Sequence, residues 1–167
     1  GTLLEPFARR AYEEMTGTSV TEVGLVYRDE SKQISTSPDG LCGAIGDGGI
    51  EIKCPRPRTH MKYLSGLNKD AIPQIQGNMW VTGASWWDFV SFCPEFGSLP
   101  LFIDRIDRDE EMIEKIEQSA MLAAEEVAAM VDTIRRYTTS DQLQAICNES
   151  LVAVDNFFND GEVQVDG

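Results

Sequence analysis

Three residues in the stretch "SPDGLCGAIGDGGIEIKC", positions 37–54, have the types and spacing to do chemistry: Asp39, Glu51 and Lys53. "GGIEIKC" reads as a short strand, and residues i and i+2 of a strand face the same way. Glu51 and Lys53 therefore project together, while Ile50 and Ile52 face the opposite side. The Ile52 side chain is expected in a core, yet its carbonyl oxygen lies in the plane between the two polar side chains. Mg²⁺ prefers oxygen ligands in near-octahedral geometry and keeps several of its waters. Asp39, Glu51 and the Ile52 carbonyl can supply three such oxygens on one side of an ion. Lys53 can then polarise a water at the ion or stabilise charge developing on a phosphate. Asp29 adds a carboxylate if its strand pairs antiparallel and brings it round to Asp39. Gln74, on the helix after the strand, can hydrogen-bond the nucleophilic water or a phosphate.

The same residues have a plainer reading. Asp-Gly is a common turn pair, and Glu-x-Lys on a solvent-facing strand is a surface ion pair worth under about 1 kcal/mol. Spacing alone leaves both readings open. Other chemistries have less support. "GDGG" lacks the Gly-Lys-Ser/Thr of a phosphate-cradling loop and precedes a strand rather than a helix. His60 is the single histidine, so a packed or solvated role is expected of it. Nothing resembles a nucleophile elbow. Cys42, Cys54, Cys93 and Cys147 are scattered with no CxxC pair, which does not suit zinc or iron–sulfur ligation. They read as reduced thiols of an intracellular protein.

The elements that must position these residues follow from periodicity and punctuation. Residues 5–16 read as a helix, with Pro6 in its first turn and Gly17 as a stop. Residues 19–29, rich in Val, Thr and Tyr, read as one strand, and "KQISTS" as its return. Two prolines in "PRP" end the Glu-x-Lys strand. "THMKYLSGL" and "AIPQIQGNMWVTG" look helical, and "SWWDFVSFCP" and "LPLFIDRI" read as strands. From Arg108 the apolar residues recur every three or four positions through Ile134, predicting a long amphipathic helix. Ser140 is the expected cap of a last helix carrying Leu143, Cys147, Leu151 and Val154. The order predicts an α/β (α+β) fold with a central mixed sheet flanked by helices.

The 167 residues suit a single domain, 1–167, with residues 138–167 forming a last helix and an acidic tail. Hydrophobic content of 42% and charged content of 25% are ordinary for a globular protein. No apolar run approaches the roughly 20 residues that span a bilayer, and the start lacks the layout of a signal peptide. A formal net charge of −14 argues against nucleic-acid binding over the whole surface. It leaves room for a local basic groove.

The longer strings "YRDESKQISTSPDGLC", "GIEIKCP", "MKY" and "QIQGNMWVTGASWWDFVSFCP", in this order, resemble the lambda-exonuclease and YqaJ-type viral recombinase family. This family belongs to the PD-(D/E)xK nucleases, with their restriction-endonuclease-like core, and the resemblance runs from about Glu5 to about Asp109. It implies that Asp39 and Glu51 bind metal, that Ile52 supplies the backbone ligand, and that Lys53 is the catalytic lysine. Asp29 matches the acid near a second metal, Glu5 the helix-borne acid that approaches the site, and Gln74 the helix glutamine. The implied cofactor is Mg²⁺, one or two ions per site, with Mn²⁺ as a substitute.

The implied activity is degradation of one strand of linear double-stranded DNA from the 5′ end, leaving 3′ overhangs for recombination. The implied setting is the cytoplasm of a bacterial host, from a phage or prophage gene. A ring-shaped homotrimer and a single-strand annealing protein are the implied partners. Arg56, Arg58, Lys62 and Lys69 follow the catalytic strand and are candidate DNA contacts inside such a ring, where a negative exterior repels DNA. Family members carry a segment ahead of the first helix that engages the 5′ end, and this chain starts inside the fold. The rivals are a related endonuclease, which would cut closed circles, and a catalytically inactive DNA-binding or assembly module.

Overall fold

In a computed structural model of the chain, residues 3–43, 47–66, 69–136 and 141–159 are described, except for the side chains of 136, 142 and 154–159. Helix α1 spans Glu5–Thr16, as its sequence predicts, and ends on Gly17 in the left-handed region at φ +70°, its N–H donating to the Glu13 carbonyl. The strand expected over 19–29 is two strands, β1 (Val20–Thr21) and β2 (Val26–Tyr27). Gly24 lies between them, a residue that weakens a strand interior. The break lets the chain leave one sheet and begin another. β2 pairs with β3 (Ser35–Thr36) in a separate hairpin, and β1 pairs with β4 (Gly40–Cys42) in the main sheet.

That main sheet runs β1-β4-β5-β6-β7, where β5 is Gly48–Lys53, β6 is Trp86–Phe92 and β7 is Leu101–Asp107. β5 and β6 are parallel and every other pairing is antiparallel, so the sheet is mixed, as the element order predicts. A parallel pair needs a crossover. It is built here from α2 (Pro57–Leu64), a short 3-10 turn (Lys69–Ala71) and α3 (Ile72–Thr82). The glycine pair that opens β5 has a packing reason. In the parallel register Gly48 and Gly49 sit beside Trp86 and Trp87. A methyl group on Gly49 would meet the Trp87 indole, and one on Gly48 the Trp86 indole.

Alternation along the strands divides the core into two layers. Ile50, Ile52 and Val90 pack with Ala8 and Tyr12 of α1 on one face. Trp87, Phe89 and Leu41 pack with Ile75 and Met79 of α3 on the other, joined by Ile113 near the start of α4 (Glu110–Arg136). The chain divides into two compact units, 1–124 and 125–167. The second holds the end of α4 and helix α5 (Asp141–Asn159). Its apolar residues Val127, Met130, Leu143 and Leu151 are exposed, although their spacing predicts a buried stripe. Ser140 and the acidic tail 160–167 lie outside the described residues.

Candidate active site

β5 carries the candidate chemistry because of its period. Glu51 and Phe89 are register partners, as are Lys53 and Ser91, and this set faces α3. Asp39 immediately precedes β4, and the pairing of Gly40 with Ile50 brings it alongside Glu51. The Ile52 N–H donates to Asp39 Oδ2 at 2.7 Å, which fixes the aspartate against the strand. Lys53 Nζ donates to Glu51 Oε1 at 2.5 Å. Asp39, Glu51, Ile52, Lys53, Gln74 and Glu5 all line one cavity of about 470 Å³, together with Cys54, Pro55 and Tyr63. The Ile52 side chain is packed in the α1 layer, so it is the main chain of Ile52 that lines the cavity. Glu5 arrives from the first turn of α1, and Gln74 from the first turn of α3.

The electrostatics of this cavity are unbalanced. Glu51 is only 3% exposed. Burial pushes its carboxyl pKa up and the neighbouring charge of Asp39 adds to that, while hydrogen bonds from Lys53 and Gln74 pull the other way without cancelling it. Burial works against the Lys53 ammonium, but its hydrogen bond to Glu51 and the charges of Glu51 and Asp39 outweigh burial and raise its pKa. Three carboxylates, Glu5, Asp39 and Glu51, thus line a cavity with one ammonium, an arrangement that attracts a further cation. Hard oxygen donors suit Mg²⁺, which is typically held by one or two carboxylates, waters and substrate phosphates. Asp39, Glu51 and the Ile52 carbonyl fit that donor set. Among the described residues, no group of three or more His, Cys, Asp or Glu side chains is placed to hold a metal ion on its own.

Asp29 is not brought to this cavity. It sits in the exposed turn of the β2–β3 hairpin, where its carboxylate accepts from the Ser31 N–H at 2.8 Å, and hydrogen bonding from the Ser31 hydroxyl and then from that N–H lowers its pKa. The expected antiparallel pairing does occur, but in a separate sheet, and the turn uses the carboxylate. Arg58 and Lys62 are exposed on α2. Arg56, just ahead of α2, is exposed and pairs with Glu95 at 3.3 Å. His60 is fully buried, with Nε2 donating to the Leu99 carbonyl at 2.8 Å and Nδ1 bonded to Ser91 Oγ at 2.7 Å. It is a packed histidine, as expected.

Sequence reasoning missed two supports of the site. Asn78, buried on α3, donates to Glu51 Oε2 at 3.4 Å and accepts from Thr36 Oγ1 at 2.5 Å. Arg9 donates to the Asp39 carbonyl at 3.1 Å and pairs with Glu22. The signal was available, since Asn78 is one turn beyond Gln74 and Arg9 one turn beyond Glu5, and i+4 neighbours share a helix face.

Among solved structures, the chain resembles LHK-Exo, an alkaline exonuclease from Laribacter hongkongensis, with 38% identity, a TM-score of 0.75, and 82% of this chain and 71% of that chain covered. LHK-Exo in complex with dAMP matches with the same identity and coverage at a TM-score of 0.76. A phage-related exonuclease from Haemophilus somnus 129PT shares the fold at 19% identity and a TM-score of 0.61, over 80% of this chain and 71% of that one. Fold and relatives together define a nuclease of the alkaline-exonuclease type. Residues 1–85 match the YqaJ-like viral recombinase domain. The chain belongs to that family. A comparison with curated proteins finds no match. Among the described residues, no helix is long and apolar enough to cross a membrane.

Proposed function

We propose that this chain is a Mg²⁺-dependent deoxyribonuclease that degrades one strand of linear duplex DNA from its 5′ end, leaving a 3′ overhang. The observation that carries the reading is the convergence of Asp39, Glu51 and Lys53 with Glu5 and Gln74 on one cavity. In the reaction, water adds to a backbone phosphorus, the bond from phosphorus to the 3′ oxygen breaks, and that oxygen takes a proton. The product is a 5′-mononucleotide and a strand one residue shorter.

Asp39, Glu51 and the Ile52 carbonyl would hold the ion. Bound Mg²⁺ supplies positive charge against the phosphate and lowers the pKa of water. Lys53 stays charged and stabilises the negative charge that develops on the phosphate oxygens. Gln74 orients the attacking water or the phosphate, and Asn78 holds the Glu51 carboxylate in place. Asp29 is left out of the ligand set because it lies in the hairpin turn and does not line the cavity. Arg58, Lys62 and Lys69 are the DNA contacts of α2 and of the turn before α3, and Arg56, already paired with Glu95, is a weaker one. The 5′ polarity, a homotrimeric ring and a single-strand annealing partner follow from the family resemblance.

The test is digestion of linear duplexes labelled at the 5′ or the 3′ end, beside a closed circular duplex. Expected are Mg²⁺-dependent release of 5′-labelled mononucleotide first, slow loss of 3′ label and an intact circle. Equal cleavage of circle and linear duplex would sink the exonuclease reading in favour of an endonuclease.

A further inference from the structure

A second groove, of about 440 Å³, is lined by Phe7, Arg10, Ala11, Glu14 and Phe92. Building on the nuclease reading above, we propose that this groove binds single-stranded nucleic acid, with a base stacked on Phe7 and a phosphate held by Arg10, as the strand enters or leaves the catalytic cavity.

The groove and the cavity draw on neighbouring residues of the same helix and of paired strands. Glu5 of α1 lines the cavity and Phe7, two residues on, lines the groove. Lys53 at the end of β5 pairs in register with Ser91, and Phe92 follows Ser91 at the end of β6. Phe92 turns to the α1 face, opposite the face of Glu51 and Lys53, so a strand held at Lys53 reaches Phe92 and Phe7 by passing round the ends of β5 and β6.

The groove chemistry suits that occupant. Phe7 is 58% exposed, on a helix whose buried residues, Ala8 and Tyr12, point the other way. An exposed aromatic face is a stacking platform for any base, and a cation beside it tracks the backbone. Arg10 is free to be that cation. Arg9, Arg28, Lys53, Arg56, Arg105, Arg108, Lys115 and Arg135 each have a carboxylate partner. Lys32 lies over the Tyr27 ring. Among the cations whose side chains are described, that leaves Arg10, Arg58, Lys62 and Lys69 without an ion pair or ring contact. All four lie on, or lead into, the three helices that contribute Glu5, Tyr63 and Gln74 to the catalytic cavity. In a chain of net charge −14, the uncommitted positive charge is thus confined to the elements that build the cavity. Glu14 lies one turn beyond Arg10, on the side away from Glu5, and makes no ion pair with it.

The test is the fluorescence anisotropy of a dye-labelled oligothymidine strand titrated with the full chain in EDTA, where no strand is cut. Phe7→Ala is expected to weaken binding roughly tenfold, and Phe7→Trp to keep it. Arg10→Ala is expected to weaken binding and to reduce the slope of log affinity against log salt by about 0.7, a change that Phe7→Ala does not make. Parental affinity and slope in both alanine variants would overturn the proposal. So would a Phe7→Ala chain whose oligomeric mass by light scattering differs from the parent's, because the groove would then seat a second copy. A parent that binds strand through Phe7 and Arg10 yet leaves end-labelled duplex intact contradicts the nuclease reading alone. A parent that degrades duplex while both alanine variants bind normally contradicts the groove alone.

Discussion

Two acid–base pairs sit on adjacent parallel strands, Glu51–Lys53 on β5 and Asp88–Arg105 between β6 and β7, and they face opposite sides of the sheet. Both acids are almost fully buried, Glu51 at 3% and Asp88 at 1% exposure. Their surroundings differ. Asp88 accepts two hydrogen bonds from the Arg105 guanidinium and a third from Tyr12 Oη at 2.7 Å. Arg105 in turn lies over the Trp86 ring, 3.7 Å from its centroid. Burial and the bond to Asp88 raise the Tyr12 pKa, so its proton stays on the hydroxyl as donor. Glu51 has a lysine from its own strand, a long bond from Asn78, and a second carboxylate nearby. A buried charge paired with a guanidinium and met by three hydrogen bonds is structural. One held next to a like charge in an open cavity is poised to take a ligand.

The largest effect that can break this contrast is on turnover. Lys53→Ala is expected to lower the rate of duplex hydrolysis on the order of 10²–10³-fold, with a far-ultraviolet circular dichroism spectrum like the parent's. On the other face, Asp88→Asn leaves Arg105 and Tyr12 facing a neutral amide. It is expected to cost about 3 kcal/mol in urea unfolding while sparing activity per folded molecule. Loss of activity greater than loss of folded protein would mean that the two faces are not independent.

A third expectation concerns metal. Mg²⁺ at a hundred times its dissociation constant should raise the unfolding free energy of the parent by about 2.7 kcal/mol. Asp39→Ala and Glu51→Gln should abolish that gain, and Asp88→Asn should retain it, as read by thermal melts with and without EDTA.

The smallest effect is on the metal-free fold. The raised Glu51 pKa means that the folded state holds this proton more tightly than the unfolded one. Its contribution to stability is therefore fully present below the ordinary glutamate value and is lost as pH rises through the raised folded value. Glu51→Gln should flatten this loss, so that in EDTA at neutral pH the variant unfolds at the same or a higher urea concentration. A clear drop in its midpoint would show that Glu51 is a structural acid like Asp88.

The contrast also marks what the sequence could disclose. Period-two alternation is local, so the shared face of Glu51 and Lys53 and the inward face of Ile50 and Ile52 were legible from "GGIEIK". Helix α1 was legible because Pro6 and Gly17 punctuate it, and α3 because Pro73 and Gly83 do. Asp29 was misplaced because its distance from Asp39 depends on which sheet its strand joins. The break at Gly24 sent that strand into its own hairpin. Asp88 was read only as part of a strand, since its partners Tyr12 and Arg105 are far away in the chain and meet it through register alone. Asn78 was overlooked for the same reason on its strand side, although its i+4 relation to Gln74 was in view.

The most direct measurement is hydrolysis of a 5′-labelled linear duplex in Mg²⁺ by the parent, Lys53→Ala and Asp88→Asn chains, each normalised to its folded fraction. Parent and Asp88→Asn should release labelled mononucleotide at similar rates, and Lys53→Ala should release essentially none. Parental turnover by a folded Lys53→Ala chain would contradict the assignment of the β5 cavity as the active site.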